Sequence, residues 1–391
     1  MEKLQLVGSL LVVKAGGFRA ASHELQEINM LSSQTTLNNI RNMKHLFPAV
    51  SDQLESFFSI GACPNISDVR ERGGKTRGFP HDGSKTQEIL KSLWPDIQKG
   101  RILVAGVRSI PLDERYEPTP TASVPKRGAD RKLTGKTRTI SDMRRVNLGL
   151  SKYDVYAVTV PQIQEIVEEI IALRRLYHGI RIETCKRDIE AAFKRIYLHP
   201  DLVNIACHEF KAEFAYTSDD VLVGFLRSPF GFSGIPGMPQ VATDAIKAVH
   251  RRTGSSTPER DGDHAFDCHI FADDGIFVEP RLGKRHTMVV EKWEATVRSL
   301  LGDDAINEEK KETEGSWSCQ NCILGFEANT ETMTISSPKE KISMAKEFVQ
   351  SSVLEPYNYN LNVGDVQKLR GLVQYWKTQI CSGRRPFKQS I

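Results

Sequence analysis

Three acids carry the chemistry this 391-residue sequence offers. Asp273 and Asp274 are adjacent in FADDGIFV (271–278), between β-forming arms at 269–272 and 276–278, and Gly275 is expected to supply the tight backbone of the reversal. Two carboxylates at a hairpin tip are unfavourable unless cations neutralise them. A hard divalent ion is the simplest such cation, because it takes oxygen ligands and keeps sites for phosphate. The bland alternative is an exposed acidic turn. A third carboxylate, Asp188, closes a strand-like run and opens DIEAAF (188–193). If Asp188 and Asp273 stand on neighbouring strands, their oxygens can share two metal ions roughly 3.5–4 Å apart. That arrangement suits phosphoryl transfer, where the protein positions and neutralises. Glu190 and Glu279 read as supporting or surface groups.

Other elements must hold these acids in place. In 161–175, Ile163, Ile166, Val167, Ile170 and Ile171 recur at helical spacing, which predicts an amphipathic helix with Pro161 in its first turn. Strands are expected at 101–108, 181–189, 205–214, 322–326 and 332–335, and helices at 86–97, 241–252 behind Pro239, 293–301 and 364–377. Residues 137–141 read as the far arm of a β-hairpin, with Gly135 in its turn region. The apolar run 6–13 reads as a buried strand or short helix rather than a signal peptide. Residues 70–85, rich in Gly, Arg and Lys, read as a mobile connector. Helices and strands interleave, which predicts a mixed α/β or α+β protein.

Composition narrows the class. The chain is 39% hydrophobic and 26% charged, as soluble globular proteins are, and its length suits two or three subdomains. No stretch reaches the roughly 18 apolar residues of a membrane span. A net charge of +4 decides little, but its distribution matters. Residues 124–145 carry eight basic side chains against Asp130 and Asp142, a surplus of six that suits a phosphate-binding surface or, more blandly, a solvated hairpin. Seven scattered cysteines fit a reducing compartment, and the single CxxC pair, Cys319 and Cys322, lacks a second pair at zinc-ribbon distance.

From about residue 100 to 340, the order of motifs resembles the reverse transcriptases of eukaryotic retrotransposons. KTRTISDMRRVN (136–147) is similar to the family's fingers motif, and SVPKR (123–127) to its proline-lysine entry. The resemblance implies that Arg138 grips the incoming triphosphate. Lys126, Arg131 and Lys132 would add phosphate contacts, and Asp142, Arg144 and Asn147 would brace the fingers and the template. DIEAAF matches the catalytic D-x-x-x-[AG]-[FY] pattern. It makes Asp188 a metal ligand and Phe193 the flat ring that would collide with a ribose 2′-hydroxyl. SPFGFSGIPGMPQ (228–240) resembles the LPFG…P…Q element, in which Phe230 contacts the nucleotide and Gln240 supports the nascent pair. It departs from the pattern at Ser228 and Met238-Pro239. FADD is a variant of the family's x-x-D-D. Lys310 and Lys311 resemble the lysine that protonates the leaving pyrophosphate. ILGFEANTETMTIS (323–336) resembles the primer-gripping hairpin, with Leu324, Gly325 and Phe326 at the turn, and DVQKLRGLVQYW (365–376) with RRPF (384–387) resembles the segment after the thumb.

The resemblance implies an α+β right-hand polymerase in which Asp188, Asp273 and Asp274 hold two Mg²⁺ or Mn²⁺ ions. Residues 86–340 would form fingers and palm and 341–391 a partial thumb and the start of a connection, while 1–85 find no counterpart. The implied partners are an RNA template, a DNA primer and deoxynucleoside triphosphates, with no membrane. The implied setting is an intracellular one, a cytoplasmic particle or the nucleus. Ribonuclease H and integrase or recombinase modules are expected elsewhere in a parent polyprotein of the gypsy-like or tyrosine-recombinase type. Phe193, and Ala272 before the paired acids, disfavour an RNA-dependent RNA polymerase. A non-catalytic nucleic-acid-binding remnant would keep the basic fingers. A metal-dependent hydrolase would leave Arg138 and the hairpin at 323–336 unexplained.

Overall fold

Short runs of β-branched and aromatic residues become strands where neighbouring backbone completes their hydrogen bonds and helices cover their faces. The computed structural model describes residues 1–63, 83–127, 133–148, 158–229, 231–233, 236–350 and 362–383, and in them such runs form four antiparallel sheets among helices. The expected connector at 70–82, Arg131, Lys132, Phe230, Gly234, the side chain of Lys126 and the motif at 384–387 lie outside the described residues. The chain divides into two units: Met1–Thr159, Ile189–Thr253 and Glu291–Asn307 form one, and Val160–Asp188, Gly254–Val290 and Glu308–Ile391 the other.

In the first unit, β1 (Ile102–Gly106), β6 (Val221–Phe225) and β5 (Cys207–Phe210) form one sheet, and β2 (Thr121–Arg127) pairs with β3 (Leu133–Ser141) in another. Helices Glu2–Ala15 and Phe18–Ser32 send Val12, Phe18 and Ala21 into a core shared with Leu103, Ala105, Cys207 and Leu222. The N-terminal apolar run is therefore a helix, but most of its large apolar residues face outward. Leu6, Val7, Leu10 and Val13 are 61–66% exposed, while Gln5, Gly8 and Val12 face inward. Glycine at position 8 brings the helix against β1: a Cβ there would lie 1.7 Å from the Val104 carbonyl oxygen. Polar bonds fix the same face, from Gln5 Nε2 to the Asp219 carbonyl (2.9 Å) and from the Gly106 N–H to Ser9 Oγ (2.8 Å).

In the second unit, β4 (Ile182–Asp188), β8 (Asp274–Pro280) and β7 (His269–Phe271) form a sheet with β8 at its centre, and β9 (Gln320–Ile323), β10 (Phe326–Asn329) and β11 (Thr334–Ser336) form another. Helix Ile163–Leu176 buries Ile163, Ile166, Ile170 and Leu173 against Ile182, Ile276 and Val278. Pro161 lies before this helix rather than in its first turn. The start is set by a capping box between Gln162 and Glu165. Beyond the acids, the far end of β8 is tied by a buried pair. Arg285 donates from Nε to Glu279 (2.5 Å) and from Nη1 to the His264 carbonyl (3.0 Å), over the Phe266 ring. Glu279 is thus a buried structural partner, not a surface group.

Several expected boundaries move for identifiable reasons. The strand expected at 205–214 stops at Phe210, because Asp220 accepts the Ala212 N–H (2.8 Å) and caps the short helix Ala212–Ala215. The helix expected at 293–301 begins at Arg285, and that at 241–252 runs Gly237–His250 with Pro239 in its first turn, where no N–H is needed. Gly135 sits within β3 with φ +71, not in the turn. Among the described residues no single helix is long and apolar enough to cross a membrane.

Gly8→Ala separates two opposing effects. Helix propensity favours alanine by about 1 kcal/mol, whereas forcing a methyl onto a packed backbone costs about 1–3 kcal/mol. Because the Cβ would meet backbone rather than a yielding side chain, the variant is expected to lower the urea midpoint. An unchanged or raised midpoint would show that this helix does not pack as described.

Candidate metal centre

The register of one sheet assembles the three acids. β4 pairs with β8 from Ile182↔Pro280 through to Asp188↔Asp274, and β7 pairs with β8 up to Phe271↔Asp274. Directly opposed residues point to the same face with Cβ atoms roughly 4.5–5.5 Å apart, so Asp188 and Asp274 are side by side. Only Ala272 and Asp273 remain to close the β7–β8 loop, which puts Asp273 at its tip. The left-handed residue is Ala272 (φ +56), in the loop position where glycine is usual. Gly275, expected at the reversal, lies inside β8 opposite Arg187 and Ile270. The outcome is a cluster in which each of Asp188, Asp273 and Asp274 offers a carboxylate oxygen within 4.8 Å of the others.

Charge explains what such a cluster needs. Asp188 is buried and the other two are half-buried. Burial, and then the charge of Asp273, push the Asp274 carboxyl up to about 6. Lys310, on helix Glu308–Glu314, hydrogen-bonds Asp188 and lies 3.9 Å from Asp274 Oδ1. Burial is the largest single influence and works against its ammonium, but the Asp188 hydrogen bond together with the charges of Asp188, Asp274 and Asp273 holds the Lys310 pKa above its ordinary value. The ammonium stands where positive charge is wanted. Three hard oxygen donors with no sulfur or imidazole fit a cation of the magnesium or manganese kind.

Neighbouring groups hold the cluster. His269 of β7 bonds Glu169 of helix Ile163–Leu176 (2.6 Å), and burial raises the Glu169 pKa. Arg187 of β4 donates to the Gly315 carbonyl (2.7 Å), just beyond the helix that carries Lys310. Neither tether was visible in the sequence, because a lone His or Arg in a strand carries no motif.

No protein-family model matches the sequence, and no curated protein matches it. Among solved structures, the chain is similar to the foamy viral protease-reverse transcriptase dRH in complex with double-stranded DNA. The TM-score is 0.50 at 14% identity, over 80% of this chain and 44% of that one. The fold is reverse-transcriptase-like. The chain spans less than half the length of that viral protein.

The remaining candidates fall in both units. In the second, β9 and β10 meet at Ile323↔Phe326, leaving Leu324 (φ +49) and Gly325 (φ +80) as a two-residue turn of the primed type. Tyr375 and Lys341 both donate to the Gly325 carbonyl (2.9 and 3.0 Å), and Tyr375 stacks on Phe326. Lys311 pairs with Glu308 (3.5 Å), so Lys310 is the lysine set against Asp188. Cys319 and Cys322 are free thiols. In the first unit, Arg138 is exposed on β3 opposite Val124. Phe193 is half-buried in the turn Ala192–Lys194, and Gln240 donates to Asp244 (2.6 Å) within its helix. Arg144 grips buried Asp142 with two bonds (2.7 and 2.5 Å), and this lowers the Asp142 pKa. Asn147 bonds the Gly231 carbonyl and the Ser233 N–H (3.0 and 2.8 Å), fixing the loop after Ser228.

Lys310 competes with any cation for the same oxygens. A unit charge at about 4 Å is worth on the order of 4 kcal/mol at an effective dielectric of 20. Lys310→Met is therefore expected to tighten Mn²⁺ binding by roughly tenfold or more, measured by titration calorimetry. Weaker binding would mean that the ammonium supports the ligands instead of competing with a metal.

Proposed function

We propose that this chain is an RNA-directed DNA polymerase, and the observation that carries the proposal is the convergence of Asp188, Asp273 and Asp274 in a reverse-transcriptase-like fold. In this reading 86–340 are the fingers and palm of a right-hand polymerase, 341–391 a thumb and the start of a connection, and the whole is part of a retrotransposon polyprotein. Divalent ions held by the three aspartates would make a primer 3′-hydroxyl easier to deprotonate and would neutralise the triphosphate.

The residues themselves do the rest. The primer 3′-hydroxyl gives its proton to water, its oxygen forms a bond to the α-phosphorus, and the bond from that phosphorus to the pyrophosphate oxygen breaks. Lys310, at the edge of the carboxylate cluster, gives its proton to the departing pyrophosphate, with Lys311 on the same helix as the second candidate. Arg138, exposed on β3 opposite Val124, takes the triphosphate, with Lys126 of β2 as a second cation for it. Phe193 excludes the ribose 2′-hydroxyl, and Phe230 and Gln240 seat the nucleotide and nascent pair. The turn at Leu324, Gly325 and Phe326, pinned by Tyr375 and Lys341, holds the primer terminus.

With Mg²⁺ or Mn²⁺, the purified protein is expected to extend a DNA primer on an RNA template. Changing Asp273 and Asp274 together to Asn should reduce extension to background and leave salt-sensitive nucleic-acid binding in place. Extension that survives the double change would overturn the assignment. Phe193→Val is expected to improve ribonucleotide use relative to deoxynucleotides by roughly tenfold or more, the scale on which small changes in a pocket discriminate. An unchanged ratio in single-nucleotide incorporation would remove Phe193 from that role.

A further inference from the structure

The first unit contains a polar cavity of about 440 Å³ that the polymerase reading does not use. Six cationic side chains line it: Lys99, Arg101, Lys194, Arg195, Arg227 and Arg298. Five have carboxylate partners. Lys99 and Arg195 pair with Asp304, Arg101 and Lys194 with Asp96, and Arg298 with Glu294. Counting these three acids with Asp303 on the wall, six positive charges face four negative ones, a surplus of two.

Arg227 is the exception. No carboxylate among the described residues pairs with it. Its guanidinium lies 3.1 Å from the centroid of the Tyr197 ring, Nη1 donates to the Arg195 carbonyl (3.0 Å), and its buried Nε has no partner. Burial draws its pKa down to about 10. One ring face and one carbonyl do not replace the water and counter-charge a guanidinium gives up on burial. The wall opposite supplies further positive potential. Ser33, Thr35 and Thr36 bring the N-terminal end of the ten-residue helix Gln34–Met43 to the cavity, and no side chain caps that end. Guanidinium forks, lysine ammoniums and uncapped backbone N–H groups share one preferred ligand, a compact multivalent oxyanion.

We propose that this cavity binds a small polyphosphorylated anion, seated by Arg227 and the surrounding cations. Such a ligand matches the donor set, the surplus charge and the room available. It would be held without divalent metal, in contrast to a triphosphate at the carboxylate cluster.

The test is titration calorimetry of the whole protein with inorganic tripolyphosphate in EDTA, which removes any contribution from the metal centre. Saturable one-to-one binding is expected. Arg227→Gln should weaken it at least tenfold and Lys99→Met several-fold. Lys99 is half-exposed, so its variant decides the matter if Arg227→Gln does not fold. Displacement of tripolyphosphate by ATP would extend the ligand class to nucleotide phosphate tails, and failure to displace would confine it to inorganic polyphosphate. Either result keeps the proposal. Absence of saturable binding to the unaltered protein, or unchanged affinity in both cavity variants, overturns it.

Discussion

The pairing register between β4 and β8 is the constraint on which the candidate centre depends. Because side chains alternate across a strand, a slip of one residue would send Asp188 to the opposite face from Asp274 and disperse the cluster. Little in the acids themselves favours the native register, since bringing them together is repulsive. The opposing work is done further along the same strands, where Ile182, Ile276 and Val278 pack under helix Ile163–Leu176 and Glu279 meets Arg285. Apolar burial and a buried ion pair at one end of the sheet thereby fix carboxylates at the other.

The same unit handles its charges in two ways. Glu279 and Arg285 neutralise each other within the protein, with the arginine's remaining donors given to carbonyls. The three aspartates repel one another, and Lys310, on a short helix tethered through Gly315, stands against Asp188 and Asp274. A fully compensated pair holds structure, and an under-compensated cluster is prepared to accept more positive charge. That contrast separates two groups of acids which look alike in a sequence.

The convergence of the acids was more legible than the architecture. Asp188, Asp273 and Asp274 could be read because metal chemistry restricts residue type, and the helix over Ile163–Leu176 because its apolar residues keep a strict period. β6, VLVGF, passed unread because a strand buried on both faces shows no alternation. Gly275 was assigned to the turn from its residue type, yet the backbone strain sits at Ala272. The inward face of the first helix was hidden because glycine and glutamine, not leucine, make its contact. Arg227 over Tyr197 joins positions thirty residues apart with no pattern to announce it.

Each unit is assembled from three stretches of sequence, so the chain passes between them five times. Cutting at any of the first three passages separates strands that pair with each other. Residues 1–159 alone would carry β1 without β6, presenting an open, fully apolar strand edge to solvent, and residues 160–188 would carry β4 without β8. Dissection into autonomous fragments would therefore give aggregates, and a gene that loses its middle would lose both halves at once.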